Sequence, residues 1–433
     1  MLDAGCWILG PRSLILYPVF QTPNFKKGKE SKEMPGYEVL GEEEKKEILE
    51  VLETGVLFRY GFAAQRKGRY KVEEFEKKFA EFTGRKYALA VSSGSAALKV
   101  ALAALGVGFG DEVITSAFTF VATWEAILEC GAVPVFCGID GTLNLNPDEL
   151  ESKITPKTKA IIPVHMLGAQ ARMPEIMAVA DRYGLPVIED TAQACGGFIE
   201  GKALGSFGAI GTFSFDSVKT LTTGEGGMLI MDDPELYRRA SEYHDHGHDH
   251  IGPDRGLEGR SFIGFNFRMM ELQGALGLAQ LSKLKMMIER QKAHKDRLKR
   301  ILSGIPGIVF RRLVDPDGDT ATFLAFFMPD REKTLILRDL AKEIGLGVVY
   351  FYENGWHFYR NWEHLLGQKT AAHNGWPFRV ERGIRDLRYP QDLLPETDER
   401  MSRTLVLPIN IRMEEEVFQK AATWVAEARG RFI

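Results

Sequence analysis

The sequence predicts an α/β protein with a mostly parallel central sheet, helices on both faces, and a smaller C-terminal α/β domain. Two patterns point there. Short apolar runs of strand length alternate with alanine- and leucine-rich helical segments from Tyr87 to Met231. Hydroxyl, glycine and carboxylate residues recur just after those strands, where open α/β sheets bind ligands. Composition agrees: 433 residues, 45% hydrophobic and 26% charged, is ordinary for a globular chain. Lys and Arg (55) nearly balance Asp and Glu (59), for a net charge of −4, which argues against a broad basic face for nucleic acid. Cys6, Cys130, Cys137 and Cys195 form no C-x-x-C pair and are too sparse for a disulfide scaffold. No apolar run approaches the ~20 residues of a membrane span. A cytoplasmic protein is expected, with neither membrane nor nucleic acid as a partner.

The elements follow in order. Residues 1–33 stand apart as an N-terminal extension: an apolar segment broken by Pro11 and Arg12, then Lys26, Lys27, Lys29 and Lys32. Its charge follows the apolar run, the reverse of a signal peptide, so it reads first as a loosely ordered arm, with sequence preceding a natural start at Met34 and a weak export signal as the other readings. Helical periodicity begins at Glu42–Glu53 and resumes at Val72–Phe82. Strands are expected at Tyr87–Val91, Glu112–Thr115, Val133–Phe136, Lys159–Val164, Pro186–Glu189, Ile210–Phe215 and Met228–Met231, with helices at Val121–Cys130 and Pro174–Tyr183. A long helix runs from Met270 to about Arg300, and the shorter, Trp- and Tyr-rich elements after it mark a second domain. The expected division is a ligand-binding domain at 34–294 and a small C-terminal domain at 295–433.

Four segments after strands carry candidate chemistry. In Ser92–Leu98 (SSGSAAL), Gly94 admits close backbone approach and the first helical N–H groups stay unpaired, as a phosphate seat requires; a plain serine N-cap is the other reading. In Val187–Gly197 (VIEDTAQACGG), Glu189 and Asp190 end a buried strand, where a carboxylate needs a cation such as a protonated ring nitrogen, or else caps the next turn. In Gly211–Met228, Lys219 lies just beyond a strand as an imine-forming amine or a solvated charge, among Ser214, Ser217, Thr220, Thr222 and Thr223, whose hydroxyls suit phosphate. In Phe118–Thr123 (FTFVAT), an aromatic side chain stacks on a flat heterocycle or packs in the core. Together these parts suit pyridoxal 5′-phosphate. A nicotinamide enzyme would need G-x-G-x-x-G between strand and helix, and Gly106–Glu112 (GVGFGDE) follows a helix instead.

The ordered motifs SSGSAALKVAL, FTFVATWEAI, VIEDTAQA, SFDSVKTLTTGEGGM and GFNFRMMELQGALGLAQL resemble those of the DegT/DnrJ/EryC1/StrS sugar aminotransferases over about residues 36–430. That resemblance implies a fold-type I pyridoxal-phosphate architecture and a transaminase. It implies that Lys219 forms the Schiff base and moves the substrate proton, and that Asp190 partners the pyridinium nitrogen. It places Gln193 near the ring hydroxyl, Phe120 on the ring face, and Ser95, Ala96 and Ser214 around the phosphate, beside the turn at Gly94. Asn266 is implied to reach the phosphate of a neighbouring subunit, hence a homodimer with shared active sites. Within the family, SFDSVK with Asp216, and the loop Asp245–Gly256 (DHGHDHIGPDRG), are similar to the branch that aminates 3,8-dideoxy-8-oxo-manno-octulosonate from glutamate for lipopolysaccharide assembly. A nucleotide-linked keto-deoxysugar is the alternative acceptor, and a non-catalytic pyridoxal-phosphate-binding regulator a third reading.

His244, His246, His248 and His250 alternate along the chain, so an extended backbone would put all four imidazoles on one side. They read as a substrate-contacting loop with Arg255, a zinc site or a solvated loop; no metal is expected.

Overall fold

A computed structural model describes residues 35–251, 256–380 and 385–432. The extension 1–33, Met34 and Arg255 lie outside the described residues.

Helices α1 (Glu42–Thr54) and α2 (Lys71–Thr83) precede strand β1 (Tyr87–Val91) and helix α3 (Gly94–Ala104). The period of two in β1 explains its place between layers. Leu89 and Val91 pack with Ala97, Leu98 and Ala101 of α3, while Ala88 and Ala90 face Val72, Phe75 and Phe79 of α2. The chain continues through β2 (Glu112–Ser116), α4 (Ala122–Glu129), β3 (Val133–Cys137), β4 (Thr158–Ile162), α5 (Met173–Tyr183), β5 (Ile188–Asp190), β6 (Ile210–Ser214) and β7 (Gly227–Met231). The strands line up as β1-β7-β6-β5 and β4-β2-β3, and parallel bridges Ile161–Val187 and Val164–Asp190 join the two rows.

The mostly parallel sheet is present, with one departure from regular alternation. Strand β7 runs antiparallel to both β1 and β6. No crossover helix separates β6 from β7, so the loop 215–226 returns the chain alongside itself, and such a connection makes an antiparallel pair. That loop carries Lys219. Strand β5 also extends to Asp190, one residue past its expected end.

Helix α6 (Pro234–Tyr243) and the long α7 (Glu271–Leu302) follow, and α7 runs unbroken through the expected division at 294/295. Beyond it, β8 (Phe323–Phe327) pairs antiparallel with β9 (Thr404–Pro408), with α8 (Arg331–Glu343) and α9 (Glu415–Phe432) packed against them. Phe351, Tyr359 and Trp362 share a core with Phe118 and Trp124, which brings the segment 351–362 to the carboxyl edge of the large sheet.

Candidate active site

Strands β1, β2, β5 and β6 point their carboxyl ends to the same edge. There lies a cavity of about 290 Å³.

Ser93 caps α3, its Oγ accepting the Ala96 N–H at 3.0 Å. The N–H groups of Gly94 and Ser95 have no protein acceptor among the described residues, and both residues line the cavity. They form the positive end of the helix dipole. The helix starts hard against the end of β6: a Cβ on Gly94 would lie 2.7 Å from Ser214 Cβ and 2.9 Å from its Oγ. Only glycine lets the amides and the Ser214 hydroxyl stand side by side.

Asp190 ends β5 and is fully buried. Thr123 Oγ1 donates to its Oδ2 at 2.8 Å and the Ala192 N–H to its Oδ1 at 3.1 Å. Thr119 and Thr123 hydroxyls lie 2.7 Å apart, and because Thr123 gives its proton to Asp190, Thr119 donates to Thr123. Burial pushes the Asp190 carboxyl above the usual carboxylate range, against those hydrogen bonds and the nearby Lys219. A cation in the cavity would relieve that cost. Its neighbour Glu189 serves the fold. Its carboxylate accepts the N–H groups of Gly205, Phe207 and Gly208 at 2.9, 2.5 and 2.7 Å and pairs with His165 Nε2 at 3.1 Å. The Ala171 N–H donates to His165 Nδ1, so Nε2 carries the proton.

Lys219 stands in the β6–β7 loop and lines the cavity. Burial pushes its ammonium below the usual lysine value, opposed by Asp216 and Asp190. A desolvated amine of this kind is available as a nucleophile.

Phe120 lines the cavity and stacks on Trp356 at 5.8 Å and 5°, while Phe118 is buried in the core. Gln193 also lines the cavity; its Oε1 accepts the Leu167 N–H at 2.9 Å, which turns the amide nitrogen into its remaining donor. His357 is the site residue that sequence reasoning missed. It follows the exposed Trp356 in a tryptophan- and tyrosine-rich stretch, and only the contacts of that stretch with Thr119 and Val121 bring it to the cavity. Asn354 Oδ1 accepts the Trp356 N–H at 2.9 Å and lies 3.0 Å from His357 Nδ1. That oxygen cannot donate, so Nδ1 does, and the acceptor Nε2 is left without a partner among the described residues. Burial and Lys219 push the imidazole down to about 4, so the ring is neutral at physiological pH.

Of the residues expected in the site, Gly94, Ser95, Phe120, Asp190, Gln193, Ser214 and Lys219 meet in this cavity. Ala96 and Asn266 do not line it. The Ala96 amide is occupied by Ser93, and Asn266 is exposed, its Oδ1 accepting the Arg268 N–H at 3.2 Å. The hydroxyls of Thr220, Thr222 and Thr223, expected to suit phosphate, instead tie the loop to Gln291, Phe215 O and Glu225 O. The segment is not extended, since the backbone turns at His246, Gly247 and His250 with positive φ, yet the four rings still form a row, with centroids 6.4 Å apart for His244–His250, 6.3 Å for His250–His248 and 6.5 Å for His248–His246. His244 contacts Tyr60 OH at 3.1 Å, and His248 pairs with Glu258 at 2.7 Å. Among the described residues no group of three or more His, Cys, Asp or Glu is placed to hold a metal.

The cavity fits pyridoxal phosphate: open amides and a hydroxyl for the phosphate, a buried carboxylate lacking a cation, an aromatic wall and a desolvated amine. Fold and site together define a fold-type I pyridoxal-phosphate-dependent aminotransferase. The family model for the DegT/DnrJ/EryC1/StrS aminotransferases matches residues 38–379, and the chain belongs to that family. It is 41% identical over 346 residues to the spore coat polysaccharide biosynthesis protein SpsC of Bacillus subtilis (strain 168), covering 77% of this chain and 86% of that one. Among solved structures it is similar to NtdA from Bacillus subtilis with bound cofactor PMP (TM-score 0.73, 26% identity, 94% of this chain and 87% of that chain). DesI in the presence of its TDP-sugar product is also similar (TM-score 0.71, 26% identity, 90% and 91%). No described helix is long and apolar enough to cross a membrane.

Proposed function

We propose that this sugar aminotransferase takes its amino group from glutamate and gives it to 3,8-dideoxy-8-oxo-manno-octulosonate, yielding the 8-amino sugar acid for lipopolysaccharide. In this reading it works as a cytoplasmic homodimer, with a cofactor domain at 34–294 and a small domain at 295–433. The reading of the chemistry rests on one observation: a desolvated amine, a buried carboxylate and an open helix N-terminus converge on one cavity. Bound pyridoxal phosphate supplies an electron sink that stores an amino group between two half-reactions.

The chain's own residues do the rest. The Gly94 and Ser95 amides and the Ser214 hydroxyl hold the phosphate, with Ala96 behind them completing the turn. Asp190, oriented by Thr123 and Ala192, keeps a proton on the ring nitrogen. Phe120 covers one ring face, and the Gln193 amide donates to the ring hydroxyl. Lys219 Nζ would hold the cofactor at its aldehyde group, and because burial disfavours the charged form of this amine, Nζ is suited to taking up and returning the substrate proton. His357 Nε2 accepts a hydrogen bond from substrate. Asn266 serves the partner's phosphate. Its outward position supports this, as does its exposed apolar flank of Ile263 and Phe265.

Asp216 in the cavity wall and the 245–256 loop support the octulosonate. A nucleotide-linked keto-sugar is the second reading, supported by the likeness to DesI. A half-reaction screen tests both. The protein is loaded with the amine form of the cofactor and offered each oxo-sugar. Return to the aldehyde spectrum with the octulosonate is expected; a response to dTDP-4-keto-6-deoxyglucose alone overturns the assignment of the acceptor.

A further inference from the structure

We propose that Gly36, carried on the turn Pro35–Val39, is a positioning residue that sets where Lys219 stands. This rests on the reading of Lys219 as the cofactor-linked amine. The Lys219 side chain has no hydrogen bond or ion pair among the described residues, so its backbone is the one fixed point from which Nζ reaches into the cavity. That backbone lies in a loop followed by Gly224, Gly226 and Gly227, not in a strand or helix.

Two direct main-chain contacts hold it. The Lys219 N–H donates to Asp216 O within the loop, and the Gly36 N–H donates to the Lys219 carbonyl from outside it, each at 3.0 Å. The outside contact leaves no room for a side chain. A Cβ on Gly36 would lie 2.7 Å from Thr220 O, 2.8 Å from Lys219 O and 2.8 Å from Thr222 Cγ2. Two of those atoms are main-chain carbonyls, which move only if the lysine moves with them.

The turn is itself anchored on elements remote from the cavity. Glu38 Oε2 accepts the Arg412 N–H at 2.6 Å, and Val39 O accepts from Lys283 Nζ of α7 at 2.7 Å. The Val39 side chain is buried against Met287 and Ile411. Gln291, one turn further along α7, meets Thr220 Oγ1 at 3.5 Å and donates to Ile409 O at 2.7 Å. The turn, α7 and the segment 409–412 thus form a rigid bed under the lysine loop. A misplacement of ~1 Å at a reacting group is enough to cost about 100-fold in rate.

The experiment compares Gly36→Ala and Val39→Ala with Leu337→Ala. Val39→Ala loosens the anchor without touching the loop, and Leu337→Ala empties a core site far from it. Three quantities are read: the pyridoxal phosphate dissociation constant, the pH midpoint of the holoenzyme's visible absorbance, and the thermal midpoint. Gly36→Ala is expected to weaken cofactor binding about tenfold or more and to move the absorbance midpoint by about half a pH unit or more. Val39→Ala is expected to move both the same way by less, and it carries the test if Gly36→Ala does not fold. Leu337→Ala is expected to lower only the thermal midpoint. Wild-type binding and midpoint in Gly36→Ala overturn the proposal, as do equal shifts in Leu337→Ala. Borohydride fixation of cofactor on Lys219 of the wild-type protein separates the two levels. Its absence means the underlying reading has failed and takes the proposal with it; its presence, with an unchanged Gly36→Ala, overturns the proposal alone.

Discussion

Lys219, Asp190 and His357 each sit in a cavity wall with a charge state set by burial. Lys219→Ala is expected to abolish turnover while leaving the thermal midpoint near wild type, because the side chain borders a cavity and fills no core. Persistent activity in that variant would remove the assignment. Asp190→Asn should keep measurable cofactor yet lose roughly 100-fold or more in rate, the size of a preorganised electrostatic contact; single-turnover kinetics with glutamate measure it. His357 gives a pH dependence whose sign is fixed. The imidazole titrates at about 4 in the folded protein and near ~6.5 unfolded. Below pH ~6.5 the unfolded chain binds a proton that the native ring refuses, so stability falls as pH drops towards 4 and levels off below it. The loss is up to about 3 kcal/mol. Urea unfolding of the apoprotein at several pH values should show it, and His357→Asn should flatten the slope.

At the level of elements, the contact between the start of α3 and the end of β6 decides whether a phosphate seat exists. Gly94→Ala inserts a methyl where Ser214 already stands, so cofactor affinity should drop about tenfold or more, read by equilibrium dialysis. Glu189→Ala leaves three backbone N–H groups and His165 without their acceptor. It should cost about 3 kcal/mol or more in denaturant unfolding, through loosening of the 205–208 loop. Much of this was legible in the sequence. Local periodicity located the helices and strands, and Gly94, Asp190 and Lys219 announce themselves by following strands. What was not legible comes from contacts distant in sequence. The direction of β7 depends on the loop before it, and the loop hydroxyls looked free until Gln291 and the Phe215 and Glu225 carbonyls claimed them. His357 reaches the site only because Thr119 and Val121 pair with its segment. The histidine run gathers its four rings as the alternation suggested, but through turns at three positive-φ residues, His246, Gly247 and His250, and not through an extended chain.

For the whole molecule, the shared-site reading makes a distinct claim about Asn266. Mixing Lys219→Ala with Asn266→Ala and allowing subunits to exchange should recover activity. In a mixed dimer the intact Lys219 of one copy then meets the intact Asn266 of the other. No recovery above the separate variants would place Asn266 outside the partner's site. The account as a whole is tested most directly by incubating the purified protein with pyridoxal phosphate, reducing with borohydride and mapping the peptides by mass. A yellow protein that bleaches on reduction, with the cofactor's mass fixed on the peptide bearing Lys219, is the expected result. A colourless protein whose Lys219 peptide keeps its unmodified mass would contradict the account.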